Sequence, residues 1–153
     1  MAGLAEYRRA NRDSFWTWRE LMYQFAGTIT PDDQRAIATW LQIELIKRGF
    51  TSLVEFHYLH HQPNGHAYTP AAMMSQATSG MGLTHLPTLY MTAGFDGAPL
   101  DERQRRFANS VESLYEIVTG IAETPDRRVG LAAHSLRAVP AKALNDLVKA
   151  GQG

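Results

Sequence analysis

Apolar residues recur along this chain at two spacings, and the switches between them divide it into helices and strands. The segment Asp13-Ser-Phe-Trp-Thr-Trp-Arg-Glu-Leu-Met-Tyr-Gln-Phe-Ala-Gly27 is aromatic-rich and opens with capping residue types, which predicts a short helix ending near Gly27. Ile37, Trp40, Leu41, Leu45 and Ile46 then recur at helical spacing. Thr30 can cap this second helix and Pro31 suits its first position. Asp32 and Asp33 sit where the helix dipole favours negative charge, Lys47 and Arg48 fall in the last turn, and Gly49 stops it.

The pattern changes at Phe50-Thr-Ser-Leu-Val-Glu-Phe-His-Tyr58, whose β-branched and aromatic content predicts a buried strand. Pro63-Asn-Gly65 breaks it, and Thr69 to Ser79 has a weak helical pattern. Leu83 to Tyr90 predicts a second strand, in which Pro87 marks an irregularity or an end. Gly94 to Pro99 is loop. Glu102 to Glu123 predicts one helix, with Phe107, Val111, Leu114, Tyr115, Val118 and Ile121 on a single face. Val129 to His134 is a third strand, and Pro140 starts a final helix that runs through Lys149 and ends at Gly151.

Helices alternating with strands imply an α/β fold, with about three parallel strands and crossover helices. Three strands cannot close a barrel, which takes roughly 200 residues or more, and they leave two open edges. The expectation is a very small open α/β domain or a piece of something larger. At 153 residues, 44% hydrophobic and 20% charged, the chain reads as one domain with a core of its own. Fifteen basic residues balance fifteen acidic ones, which argues against a nucleic-acid or anionic-membrane binder. The absence of cysteine excludes disulfides, thiolate metal sites and a Cys nucleophile. No apolar run approaches the roughly 18 residues of a membrane span, and the first residues lack a signal-peptide core, so a cytoplasmic chain is expected.

Parallel α/β folds gather their chemistry at strand ends. Three polar clusters fall there: Glu55 to His61, Tyr90 to Phe95, and His134 to Arg137. His57, His60 and His61 invite a zinc reading, but alternation and adjacency place them poorly for one ion. The plainer reading is a polar strand terminus with a solvated loop. Arg137 offers a two-pronged fork for a carboxylate, and His134 can exchange a proton beside it; the alternative is an Arg that caps or pairs with a neighbouring acid. Arg19 could instead make a surface pair one turn away or pack its stem on Trp16, and Tyr58 could be an ordinary core aromatic. Ser135 lacks a Gly-x-Ser-x-Gly elbow, and no phosphate-cradling glycine motif occurs.

Ser14-Phe-Trp-Thr-Trp-Arg-Glu-Leu-Met22, Glu55-Phe-His-Tyr-Leu-His-His61 and His134-Ser-Leu-Arg-Ala-Val139 resemble formimidoylglutamate deiminase, an amidohydrolase. The similarity also takes in Ala26 to Gly49 and Gly94 to Phe107, almost the whole chain. The resemblance implies a zinc-dependent (β/α)8 barrel with a small flanking β domain. Its reaction hydrolyses N-formimino-L-glutamate to N-formyl-L-glutamate and ammonia in histidine degradation. It implies substrate-binding roles for Arg19, Tyr58, His134 and Arg137, chiefly toward the glutamate carboxylates, which suits two Arg forks and a Tyr hydroxyl.

The family's His-x-His zinc ligands do not occur in the sequence, and its later metal ligands and catalytic acid/base residues would fall beyond Gly153. Residues 1–153 are therefore expected to be a partial barrel domain, the second to fourth strands with their helices. Such a segment carries no metal ligand or catalytic group of its own and is inactive alone. Thr69 to Gly82 is shorter than in the family, which implies a distorted unit there. The expected partner is a small-molecule dicarboxylate, with no nucleic acid or membrane, and the resemblance allows a homodimer of the full-length enzyme. Two alternatives stand beside this. One is another amidohydrolase deaminase or chlorohydrolase, disfavoured by the paired arginines. The other is a non-catalytic carboxylate-binding or oligomerisation module.

Overall fold

The computed structural model describes residues 14–68 and 80–151. The helix expected over Thr69 to Ser79 lies outside them. Two helices open the fold, α1 (Phe15–Thr28) and α2 (Pro31–Lys47), and both start as their capping residues predict. Ser14 Oγ accepts from the Thr17 N–H while the Thr17 side chain accepts from the Ser14 N–H, and Thr30 and Asp33 repeat this reciprocal arrangement for α2. The strands β1 (Ser52–His57), β2 (Gly82–Leu89), β3 (Arg127–Val129) and β4 (Ala132–Ala133) all pair in parallel. The central strand β2 has β1 on one side and β3 followed by β4 on the other. A short 3-10 turn (Arg105–Phe107), then α3 (Val111–Thr119) and α4 (Ala141–Ala150), complete the described elements.

The α/β class and the parallel pairing agree with the sequence, while several local expectations are corrected. The strand Phe50 to Tyr58 is not buried on both faces: Val54 is 61% exposed and Phe56 45%, because they point, with Ser52, to the sheet face that the described residues leave uncovered. On α2, Ile37, Trp40, Leu41 and Ile46 are likewise exposed, and Gln42 is the buried residue. Of the two expectations for Pro87 the irregularity holds, since it lies within β2 and not at its end. It sits where the opposite neighbour breaks, between β3 ending at Val129 opposite His85 and β4 starting at Ala132 opposite Thr88. The strand expected over Val129 to His134 is split there, so the missing Pro87 N–H faces a gap in the ladder. Gly130 lies in that gap, and a Cβ on it would come within 2.8 Å of Leu86 Cδ2.

The single helix expected over Glu102 to Glu123 is two separate pieces. Asn109 interrupts it, because its groups terminate β2: Asn109 Oδ1 accepts from the Tyr90 N–H at 2.7 Å, and Asn109 Nδ2 donates to the Thr88 carbonyl at 3.0 Å. Ser110 then caps α3 through Ser113. The expected single face divides accordingly, with Phe107 and Leu114 buried in different clusters and Tyr115 47% exposed.

Those clusters are the two cores. One joins Met22, Tyr23 and Ala26 of α1 to Leu59, Tyr68, Tyr90 and Phe107 at the strand ends. The other packs Leu89 and Leu114 against Val139, Ala143 and Leu147. Arg106 closes the first, only 3% exposed. Its guanidinium donates to the carbonyls of Ala26, Ile29 and His61 and to the Tyr68 hydroxyl. Among the described residues no helix is long and apolar enough to cross a membrane.

Two outcomes follow from this packing. Arg106→Met should lower stability by about 3 kcal/mol or more in chemical denaturation, since it strips several buried carbonyls of a charged donor. The exposed β1 edge should make the chain associate, so that it elutes above its 17.1 kDa mass in size-exclusion chromatography. Val54→Lys combined with Phe56→Lys should shift elution toward the monomer.

Candidate functional site

The candidate site is built where α1 crosses the C-terminal ends of the strands. On α1, Arg19 and Tyr23 are one turn apart, the spacing that lets helical side chains meet. Arg19 Nε and Nη2 lie 3.0 and 2.7 Å from Tyr23 Oη and donate to it. The Arg19 guanidinium also lies 5.7 Å from the Trp16 ring centroid, so the packing on Trp16 weighed from sequence is present as well. Tyr58 follows β1, Tyr90 follows β2 and His134 follows β4.

The loops after β2 and β4 are laced to each other. Met91 and Thr92 donate their N–H groups to the Ala138 carbonyl. Thr92 Oγ1 donates to the Arg137 carbonyl, and Arg137 Nη1 donates back to the Ala93 carbonyl at 2.7 Å. Arg137 Nη2 reaches Tyr90 Oη at 3.4 Å.

Of the four residues singled out from the sequence, Tyr58, His134 and Arg137 gather around Tyr90, and Arg19 is linked to them through Tyr23. Tyr58 and His134 meet with ring centroids 5.1 Å apart, edge to face, and Tyr90 lies 4.6 Å from His134. Tyr58 Oη makes no hydrogen bond among the described residues, and burial raises its pKa, followed by the Tyr23 and Tyr90 hydroxyls. His134 Nδ1 is 3.1 Å from Ser135 Oγ. Burial first, and then the Arg137 charge, hold the His134 pKa down at about 4, so its ring is neutral at pH 7. Burial is also the largest influence raising the pKa of Tyr23, followed by Tyr90, against the opposing pull of Arg19.

Neither Arg19 nor Arg137 forms an ion pair among the described residues. Of the sequence alternative for Arg137, the acid partner is not found among the described residues, while the capping role is in part present, since Nη1 donates to the Ala93 carbonyl and Nη2 reaches a phenol. Nearby Arg103, by contrast, pairs with Glu20 at 2.9 Å and Asp101 at 3.1 Å.

Three residues at the site were not singled out from the sequence. Tyr23 carried a usable signal, its place one turn from Arg19. Tyr90 lay at the start of a cluster already marked as a strand end. Gln104 carried none, since its position read as the first turn of a long helix.

The histidines of the first cluster are not a solvated terminus. His57 and His60 are 3% and 2% exposed, because both fold back onto backbone carbonyls. His57 Nε2 lies 2.9 Å from the Leu59 carbonyl oxygen and His60 Nε2 lies 2.8 Å from that of Thr88. His61 is partly buried, with Nδ1 3.4 Å from the Arg106 carbonyl oxygen. Glu55 lies between His57 (3.3 Å) and buried His85 (3.6 Å). Burial works to raise the Glu55 pKa, but the hydrogen bonds and charges of His57 and His85 prevail and hold it at about 2. Among the described residues no group of three His, Asp or Glu side chains is arranged to hold a metal ion.

No protein-family model matches the chain. In structure it is similar to an amidohydrolase from Brucella melitensis, with a TM-score of 0.85 and 42% identity, over 98% of this chain and 36% of that one. The parallel α/β unit, with its polar residues gathered at the strand ends, is thus a segment of the amidohydrolase fold. In sequence it is 42% identical, over an alignment of 160 residues, to formimidoylglutamate deiminase of Pseudomonas aeruginosa (strain PAO1). That alignment takes in 99% of this chain and 35% of the relative, so the chain spans about a third of the length of the proteins it matches.

The His134 environment predicts a pH effect. Its folded pKa lies below the ordinary histidine value of 6.5, so between about pH 4 and 6.5 the unfolded chain binds more protons than the folded one. Stability should be fully present above pH 6.5 and fall as the pH drops toward 4. Melting temperatures at pH 4.5 and 7 should differ less in His134→Gln than in the unaltered chain; an equal difference would show that His134 does not carry this effect.

Proposed function

We propose that this chain supplies the carboxylate-binding wall of a formimidoylglutamate deiminase, the whole protein hydrolysing the formimino C–N bond of N-formimino-L-glutamate in cytoplasmic histidine degradation. The observation that carries this is the state of the two arginines. Arg19 and Arg137 stand partly buried at the strand ends, held in place by phenol and carbonyl oxygens and with no carboxylate paired to either among the described residues. A planar fork that is positioned but not neutralised is a seat for an anion, and two of them suit a dicarboxylate. The unbonded Tyr58 hydroxyl and the neutral His134 ring add a donor and a proton-exchanging group to the same wall.

Zinc is the metal we propose for the whole enzyme. The described residues do not fit it, having no three-ligand group, so the role proposed for this chain itself is binding. Sequence similarity over 99% of the chain supports the family assignment and the 0.85 TM-score supports the fold.

Titration calorimetry with N-formyl-L-glutamate and glutarate tests the proposal. Arg137→Lys keeps the charge but loses the fork, and should weaken binding about ten- to a hundredfold, the equivalent of roughly 1.5–3 kcal/mol. Arg128→Lys, at an exposed ion pair with Glu123, should leave affinity unchanged. A lowered melting temperature with unchanged affinity in Arg137→Lys would make Arg137 a structural prop and remove it from the site.

A further inference from the structure

We infer that Gln104 ties the two arginines into one rigid unit and thereby sets which dicarboxylate length the site accepts; this rests on the carboxylate-binding role proposed above. Gln104 is 1% exposed and stands between the two tyrosines that hold the arginines. Its Nε2 lies 3.0 Å from Tyr90 Oη and 3.4 Å from Tyr23 Oη. One amide nitrogen has two hydrogens, and here there are two phenol oxygens to receive them.

The orientation of that amide follows from its other end. Gln104 Oε1 accepts from the Asp101 N–H at 3.1 Å, and a backbone N–H can only donate, so the oxygen faces Asp101 and the NH2 group faces the tyrosines. The Gln104 N–H donates in turn to Asp101 Oδ1 at 3.0 Å, which fixes the residue at both ends of its own turn.

A guanidinium has no acceptor, so each tyrosine oxygen must receive from its arginine as well as from Gln104. The result is one unbroken run of hydrogen bonds, Arg19–Tyr23–Gln104–Tyr90–Arg137, that spans from α1 to the loop after β4. The two forks sit on different elements, and an independent pair could adjust to diacids of several lengths. Joined through this buried amide, beside the direct approach of the Tyr23 and Tyr90 hydroxyls, they present one separation. Gln104 is then a positioning residue, acting on the ligand through the tyrosines and the arginines.

The test measures affinities of the full chain for succinate, glutarate and adipate by titration calorimetry. The unaltered chain should prefer glutarate, the length of a glutamate skeleton. Gln104→Met keeps the volume but removes the donors; it should weaken glutarate about tenfold and bring the three diacids to within about threefold of one another. Tyr23→Phe combined with Tyr90→Phe cuts the same run at other points. It should level the preference to the same extent, and it decides the question should Gln104→Met fail to fold. Adding Gln104→Met to that pair should level it no further.

A preference for glutarate that survives both sets of changes would overturn the inference, whatever happens to the melting temperature. So would equal affinity for the three diacids in an unaltered chain whose binding still needs Arg19 and Arg137; that result leaves the carboxylate-binding proposal standing. An unaltered chain that binds no diacid would overturn both.

Discussion

A buried guanidinium at the meeting of four stretches of chain holds the rest of this structure in place. Arg106 reaches the carbonyl end of α1 at Ala26, the turn at Ile29, the stretch after β1 at His61, and the Tyr68 hydroxyl. Its own carbonyl accepts from the N–H groups of His60 and His61. A helix leaves its last carbonyls without partners, and burying them without donors costs about 1–3 kcal/mol each. Arg106 satisfies that need and, in doing so, sets α1 across the strand ends. Burial lowers its pKa, against the opposing pull of the Tyr68 hydroxyl. Arg19, Tyr23 and Phe107 take their positions from this clamp, so the geometry of the site depends on a residue that is not part of it.

Local chemistry made the helices and their starts readable in the sequence. The pairs Ser14 with Thr17 and Thr30 with Asp33 are reciprocal caps whose partners are three residues apart, and no distant contact is needed to form them. What could not be read locally depends on partners far along the chain. The break before Ser110 exists because Asn109 serves the end of β2, some twenty residues earlier. His60 read as solvated because its carbonyl partner, at Thr88, is brought to it by the neighbouring strand. Gln104 is the clearest case. Its position follows only from the convergence of α1, the end of β2 and its own turn, and no pattern of spacing encodes that.

The open edge of β1 and the outward apolar side chains of α2 are consistent with the extent of the match to known proteins. A parallel strand that keeps Val54 and Phe56 in water is at odds with the usual burial of such sheets on both faces. Chains that match this one are about three times its length. A face built of apolar residues, on a segment that spans a third of its relatives, is the kind of surface that the remainder of an α/β fold covers. The site end differs from this edge in its local closure: Tyr90, Phe107 and Leu59 are buried there by elements of the segment itself.

Charge compensation separates the arginines of this fold into different roles. Arg103 is exposed and neutralised by Glu20 and Asp101. Arg106 is buried and has no counter-charge among the described residues, but its hydrogen bonds to carbonyl oxygens and a phenol orient it toward the backbone on several sides. Arg19 and Arg137 share the lack of a carboxylate with Arg106 and the accessibility to solvent with Arg103. Their neutral partners fix direction without cancelling charge, and they engage only part of each fork. A guanidinium has five N–H groups, and Arg137 commits one to Ala93 and a second, longer one to Tyr90. The rest of the fork keeps both its hydrogens and its charge for a partner that the described residues do not provide, in a partly buried place where an ion pair is worth more than at a fully wet surface. What separates Arg106 from Arg19 and Arg137 is therefore not the neutrality of their partners but how fully the backbone encloses the guanidinium, and on the reading proposed above the open part of the two site forks is where an anion would bind.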